Sequence, residues 1–433
     1  MSLSKTIAIN TLAQVFGKFG VLIFGIITTI FLRRFLGRSG YGDYVFITSF
    51  TLMLVSLADF GTHLISVREA SQQSQKQVKI ISSVFLLRLL LTSLTVIIGL
   101  FIINVFFLHQ PLTNLLFLSL LLMVAIMLKN SLIIIFHTKL KLIYVGLMDG
   151  LVAGLILLIT IILLYFKQNL YWLISGLALV YSLIFLLFLP LSQRLIPMSL
   201  TFDKKLIKKI IKEILPMGGI LFLYTCYSKF DTLALKNFWG SEVVGVYGLA
   251  YKIHENLIVL AAFLMNSLLP ILSQTIADKK KFSFLLQKTF DVLLLSGLAI
   301  WLIIFITAPL IIKIIIGKMA LNEIIALRLL VFATFVSFLN HLTGYTIISL
   351  GEQKKSFLIS VLALVFNVVS NLIFIPLFSF KAAAVNTFLT EGLVLLLSSL
   401  VIYKKLHWFP DLFSFPKTAL AIVKTKGKIY DGE

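Results

Sequence analysis

One cysteine in 433 residues, Cys226, excludes an internal disulfide and any multi-cysteine metal site. It falls inside an apolar run and reads as a packed thiol. Charge is scarce as well: 13% of residues are charged against 60% hydrophobic, and a mean hydropathy of +1.06 leaves no adequate polar surface for water. No connection between apolar runs is long enough for a soluble domain. No loop carries the GxxxxGK[ST] phosphate cradle, so ATP hydrolysis by that route is excluded. Acids are few, 17 Asp and Glu against 38 Lys and Arg, for a net charge of +21. The basic excess is scattered over the segments between apolar runs, which is the pattern of a membrane orientation signal and not of a nucleic-acid surface.

What is present is a series of apolar runs of about 20 residues, each long enough at 1.5 Å per residue to cross a hydrocarbon layer roughly 30 Å thick. Breaks at charged or Gly/Pro-bearing turns place spans at 7–32, 42–66, 80–108, 112–137, 142–166, 170–193, 214–238, 243–272, 289–312, 324–349, 356–378 and 382–403. The first is too long for a signal-peptide core and has no small-residue cleavage site after it, so it is expected to be retained. With the N-terminus inside, 24 basic residues fall on cytoplasmic segments and 8 on outer ones, which places both termini in the cytoplasm.

The fold class expected is an all-α polytopic membrane protein of twelve transmembrane helices, in two parallel six-helix bundles around a central cavity. The domains are 1–203, 204–405 and a cytoplasmic or interfacial tail, 406–433. In the link "DKKLIKKIIKEIL", Leu206, Ile207, Ile210, Ile211 and Ile214 share one helical face and lysines take the other, which predicts an interfacial helix on the anionic leaflet. Trp408 and the phenylalanines of the tail are expected at headgroup level.

An internal repeat supports the two bundles. "LRRFLGRSGYGDY" (32–44) and "LKNFWGSEVVGVY" (235–247) align without a gap, pairing Leu32 with Leu235, Phe35 with Phe238, Gly37 with Gly240, Gly42 with Gly245 and Tyr44 with Tyr247. Both corners join the first span of a six-span block to its second, so the blocks point the same way across the membrane. The glycines supply turn conformations or close helix approach. The tyrosines are expected to start the next helix from the interface. Arg33, Arg34 and Arg38 fall on the outer side, where they either form a gate with Asp43 and receive an anionic headgroup or bind lipid at a helix end.

"NTLAQVFGKFG…RRFLGRSGYGDYVFITSF" with "LADFGTHLISVREAS", then "ILPMGGILFLYTCYSKFDTLALKNFWGSEVVGVYGLAYKIHENL", "LLPILSQ" and "LGEQKKSFLISVLALVFNVVSNLIFIPLF", resemble the bacterial polysaccharide and oligosaccharide flippases. Their superfamily also contains multidrug antiporters and the lipid II flippase. The resemblance runs from Ser4 to about Lys405. It implies a non-enzymatic transporter of the cytoplasmic membrane that flips a polyprenyl-diphosphate-linked oligosaccharide to the outer leaflet by alternating access. A monomer is expected, with lipid-linked oligosaccharide, membrane lipids and glycan polymerase or glycosyltransferase machinery as partners. Many relatives have fourteen spans, and this chain has twelve and a short tail. The alternatives are a cation-coupled multidrug antiporter of the same superfamily and a membrane glycosyltransferase or polymerase. The second would place catalytic acids on a long external loop, which the sequence lacks.

Twelve charged residues fall within spans, where each would cost roughly 2.5–3.5 kcal/mol at a lipid-facing midplane. Asn10, Gln14 and Lys18 recur at i, i+4 and i+8 and form one polar stripe on the first span. Arg88, Thr92 and Thr95 do the same on the third. Lys18, Arg88 and Lys252 are candidates for holding the diphosphate, against the plainer reading that Arg88 pairs with Asp59 and Lys252 with Glu255. Asp231 and Glu255 are candidates for coupling to H+ or Na+. Glu391 reads equally as an interhelical hydrogen-bond partner. Arg328 and Asp291 are expected to snorkel from span ends. No soluble cofactor is expected.

Overall fold

In the computed structural model, residues 3–415 are described apart from 109, 200, 202 and 413; the side chains of 3–16, 19, 74 and 270 are not described. The tail expected to lie at the interface continues beyond them. Leu- and Ile-rich runs, with no water to satisfy backbone groups, have to close their own hydrogen bonds, and the described chain is accordingly helical. The helices are α1 (Leu3–Phe35), α2 (Gly37–Asp59), α3 (Thr62–Gln72), α4 (Gln77–Phe106), α5 (Thr113–Thr138), α6 (Leu142–Tyr165), α7 (Leu170–Leu195), α8 (Lys204–Thr275), α9 (Lys279–Ile316), α10 (Leu321–Ser349) and α11 (Gln353–Leu406).

Two of these are hairpins and not rods. In α8 the backbone turns at Gly240 (φ 76°, ψ −174°), and in α11 at Ser379 (φ 57°, ψ −139°). Tyr247 donates its hydroxyl to Asp231 at 2.6 Å, although sixteen residues of straight helix would hold the two roughly 24 Å apart. Ser370 likewise bonds Asn386 at 2.5 Å. The two pairs are centred next to Gly240 and Ser379, so the chain reverses at those residues. With α1, α2, α4 to α7, α9 and α10, the four arms make twelve helical passes among the described residues. At the aligned position in the first half, Gly37 has φ 69°, and the α1–α2 corner turns there. The repeat seen in sequence is therefore one backbone device used twice: a left-handed residue, open to glycine at no steric cost, between two helices.

The chain separates into two compact units, Met1–Lys229 and Phe230–Glu433. The repeat divides the sequence at 203/204, whereas contacts divide it inside α8. The reason lies in the first turns of α8: Ile207, Ile210 and Ile214 are buried against Ile65, Ile80, Ile81, Ile134 and Ile196 of the first unit. Arg68 pairs with Glu213, Lys209 bonds Glu69 at 2.6 Å and Lys79 bonds Asp203 at 2.8 Å. Of the apolar face expected to lie on the leaflet, Ile207, Ile210 and Ile214 are covered by protein and Ile211 is exposed, as are Lys204, Lys205, Lys208 and Lys212.

In the first unit α5 is central: 67% of its apolar stretch is buried, against 22% for α4 and 17% for α6, which form the periphery. Leu90, Leu94, Ile97 and Phe101 make the exposed stripe of α4, the face suited to lipid. The opposite stripe, Arg88, Thr92 and Thr95, is buried in protein and not against an aqueous cavity. In the second unit α10 takes the central role and packs on α9 and α11. Two span-end charges do not snorkel. Asp291 is buried and accepts from Gln287 at 2.9 Å and from Ser414 at 2.6 Å, so the start of the tail folds back onto α9. Arg328 donates to the Phe305 carbonyl at 3.1 Å and stacks over the Phe305 ring. Pro309, four residues on, has no N–H to offer that carbonyl, and Arg328 satisfies it instead. Trp408 packs against the core of the second unit.

Candidate functional site

The first unit holds a half-open cavity of about 420 Å³ whose polar wall is Lys18, Asp59, His63, Asn130, His137 and Asp149. Local sequence explains how the helices of the polar wall meet there. Gly17 lies so close to α6 that a Cβ would fall 2.9 Å from the Gly146 Cα, and this contact fixes the level at which Lys18 meets the cavity. Phe60 (φ 36°) and Gly61 (φ 75°) end α2 and restart α3, so that Asp59 and His63 line one wall although they belong to different helices. On α5, Asn130, Ile133 and His137 follow at i, i+3 and i+7 and form one face. The His63 and His137 rings meet edge to face at 5.2 Å.

Two ion pairs stand in this wall, each with the base behind and the acid in front. Arg88, 1% exposed, donates to Asp59 at 2.5 Å, Thr62 at 2.6 Å and Ser131 at 2.9 Å; Asp59 is 23% exposed. Lys129, 5% exposed, pairs with Asp149, 38% exposed. A buried cation therefore neutralises each carboxylate that faces the cavity, and Lys18 adds positive charge beside them. Arg88 is not among the cavity residues: its guanidinium is occupied by three partners, which is the pairing with Asp59 considered from sequence. Such a wall can receive an anion at Lys18 and the imidazole N–H groups, and hydroxyls at the carboxylates and Asn130.

The second unit is built differently. Asp231 is fully buried and accepts from Tyr247 at 2.6 Å, Thr387 at 2.8 Å, Asn371 at 2.5 Å and Asn367 at 3.2 Å. Four neutral donors surround one carboxylate, and the hairpin turns at Gly240 and Ser379 bring them together. Tyr247 is thus a buried partner of Asp231 and not an interface anchor. Its counterpart Tyr44 is half-buried, and Gly42 and Gly245 are buried inside their helices. Lys252 lies 3.6 Å from Glu255 on the same arm of α8, the local pair anticipated as the plainer reading. Arg33 is buried, Arg34 exposed and Arg38 half-buried at the first corner. The side chains of Asn10 and Gln14 lie outside the described residues.

Sequence reading missed His63, Asn130 and His137 in the first unit and Asn367, Asn371 and Thr387 in the second. The signal was there for the second set: Asn367 and Asn371 are one turn apart in an apolar run, as are Thr387 and Glu391. For the first set only Asn130 and His137 share a helical face, and beyond their helix, α5, the cavity gathers its residues from five further helices with no common period.

Against solved structures, the chain is similar to the lipid II flippase MurJ in an inward closed conformation, at 16% identity over 98% of this chain and 97% of that one, with a TM-score of 0.76. It is also similar to an inward-facing multidrug resistance MATE transporter of the MOP superfamily (13% identity, 90% and 95% coverage, TM-score 0.68). A MOP superfamily transporter from Pyrococcus furiosus, described by the reverse polarity of its binding pocket, matches at 15% identity over 94% and 97%, with a TM-score of 0.66. Comparison with curated proteins gives no match. The MatE family model matches residues 216–373. The model described as polysaccharide biosynthesis protein matches residues 4–276, more than half of the sequence and all of the cavity wall, and the chain belongs to that family.

Proposed function

We propose that this membrane protein flips an oligosaccharide carried on a polyprenyl diphosphate from the cytoplasmic to the outer leaflet of a bacterial or archaeal cytoplasmic membrane, by alternating access. The observation that carries the reading is the cavity wall of the first unit, where Lys18 and two imidazoles stand beside carboxylates already neutralised from behind. A saccharide cannot cross hydrocarbon unaided, because each hydroxyl would lose its hydrogen bonds to water. Asp59, Asp149 and Asn130 replace those bonds, Lys18 meets the phosphates, and the polyprenyl tail stays in lipid. The cavity volume falls within the roughly 300–1,000 Å³ of small-ligand sites, which suits a headgroup and not a long glycan. The 24-to-8 distribution of basic residues supports cytoplasmic termini. No bond is made or broken in this function; the substrate comes from glycosyltransferases and passes to polymerising machinery.

An inside-negative potential drives two phosphate charges outward with about 4–5 kcal/mol per 100 mV. Antiport of H+ or Na+ would add to it, and Asp231 is the residue for that role. Its surroundings fit Na+ as well as a proton: Asp231, Asn367, Asn371 and Thr387 offer oxygens suited to a hard cation, and the Asn371 Oδ1 is buried without a donor. Na+ would supply there the positive charge that a proton otherwise brings. The second reading, a multidrug antiporter, has the MatE match and the carboxylates of the wall in its favour. The buried bases behind those carboxylates weigh against it, since they cancel the attraction for an organic cation.

Vesicles loaded with the full-length protein and a polyprenyl-diphosphate saccharide test the proposal. Lys18→Ala should lower flipping about 10–100-fold, the loss of one charge-assisted hydrogen bond of about 1.5–3 kcal/mol, and Lys18→Arg should retain most of it. Equal rates in wild type and Lys18→Ala would remove this cavity as the headgroup site. Uptake of organic cations in place of saccharide would move the chain to the antiporter reading.

A further inference from the structure

Glu391, on the second arm of α11, is the other deeply placed carboxyl of the second unit, 8% exposed. Its surroundings invert those of Asp231. Asn340 of α10 is committed to it, donating its amide to the Glu391 carboxylate at 2.7 Å and to the Glu391 backbone carbonyl at 2.9 Å. No other side chain within hydrogen-bond distance donates to this carboxyl, and among the described residues no basic side chain pairs with it. The amide bonded to the carboxyl leaves its own oxygen, the buried Asn340 Oδ1, without a donor. The Ser337 hydroxyl, 3% exposed, has no partner of its own and can serve the carboxyl as donor or acceptor.

The titratable groups on the packed faces do not relieve this. His341 of α10 is turned to the Ser337 backbone carbonyl, with its Nδ1 at 2.7 Å. From the second arm of α8, His254 meets Thr334 at 2.9 Å, one turn before Ser337, and Lys252 pairs with Glu255. From the first arm of α11, Asn367 reaches Thr390, the residue before Glu391, at 3.3 Å. An ionised carboxylate is acceptor-only and offers about four lone-pair sites, whereas a protonated one adds an O–H donor. Asp231 has the donors for the first state. Glu391 has the acceptors for the second: a proton on it would give the orphaned Asn340 Oδ1 or Ser337 Oγ a donor and remove an uncompensated charge from the bundle.

We infer that Glu391 is a proton-binding site of the second unit, separate from Asp231, that holds its carboxyl neutral in this conformation between Asn340 and Ser337. Movement of α10 against α11 that brings water to it releases the proton to that water and leaves the carboxylate. This rests on the transporter reading only for its use; occupancy by a proton does not depend on it.

The test is the infrared spectrum of the purified full chain in nanodiscs at neutral pH. Wild type should show the carbonyl stretch of a protonated, hydrogen-bonded carboxylic acid that Glu391→Gln lacks, with the same intensity in sodium and in choline buffer. Identical spectra for the two proteins would overturn the inference, and loss of the band on adding sodium would make the site a metal-cation site and overturn it too. Glu391→Gln should melt close to wild type, since a neutral amide replaces a neutral acid. If it fails to fold, 13C-labelled glutamate in the wild-type chain serves instead, and an acid band that does not shift with the label sinks the proposal. Lys18→Ala should leave the band in place, so failure of the flipping proposal and failure of this one are read separately.

Discussion

The polar interior of the first unit and that of the second solve the same problem by opposite means. Around the first unit's cavity, charge is answered by charge: Arg88 behind Asp59, Lys129 behind Asp149, Lys18 on the open wall. In the second, two deep carboxyls are answered by neutral dipoles: a tyrosine, a threonine and two asparagines around Asp231, and one asparagine on Glu391. A wall of formal ion pairs stays polar whatever enters, so it suits a ligand with its own charges and hydroxyls. A carboxyl among neutral donors changes its net charge with the arrival of a single H+ or Na+, so it suits a switch. The two halves share a backbone corner at Gly37 and Gly240, yet their polar side chains have been put to different uses.

The largest effect expected from breaking this contrast is at Arg88. Arg88→Met leaves Asp59, Thr62 and Ser131 without their shared cation and should cost about 3–5 kcal/mol, read by thermal unfolding in detergent. Adding Asp59→Leu should recover most of that loss; no recovery would mean that Thr62 and Ser131, and not Asp59, are the partners that matter. Next comes Gly17→Val, whose branched side chain has to push α1 from α6 at the 2.9 Å contact. About 1–3 kcal/mol of stability should go, with flipping falling further than in Lys18→Ala because the whole lysine-bearing helix shifts.

Asp231→Asn should cost about 1–3 kcal/mol, since its amide N–H group would face donors that now point at a carboxylate. It should abolish any dependence of transport on a sodium or proton gradient while leaving potential-driven flipping. A gradient response that survives would shift coupling to Glu391. The smallest effect is at Glu352, between α10 and α11. Lys405, and then Lys355, at 3.0 and 3.1 Å, hold its carboxyl below the ordinary glutamate value of 4.5. A depressed folded value means that its contribution is present above that ordinary value and fades as pH falls through the depressed one. Glu352→Gln should therefore melt slightly below wild type at neutral pH and together with it in strong acid. A gap that persists in acid would locate the effect in packing.

Much of the fold was legible because hydrocarbon imposes a length and a composition on every crossing. The twelve runs, the glycine corners and the family resemblance all follow from local pattern. The functional interior was legible only in part. Lys18 could be read as lining a cavity because its helix carries a polar stripe, whereas the equally convincing stripe at Arg88, Thr92 and Thr95 faces protein. The apolar face at Ile207, Ile210 and Ile214 reads the same whether lipid or a neighbouring helix covers it, because both are equally apolar. Asp291 and Arg328 looked free to snorkel because no sequence rule places Ser414 beside Asp291 or the carbonyl freed by Pro309 beside Arg328.

Sequence alone determined that this chain is a polytopic helical membrane protein with a duplicated corner, since span length, apolar content and the demand for φ > 0 are properties of consecutive residues. Tertiary structure alone decided that Asp59, His63, His137 and Asp149 share a wall, that Arg88 is spent on a carboxylate and that Asp231 sits among amides. Those meetings join side chains up to 156 residues apart, as Thr387 and Asp231 do, and the partner of a buried polar group is set by which helices touch and not by its neighbours in the chain.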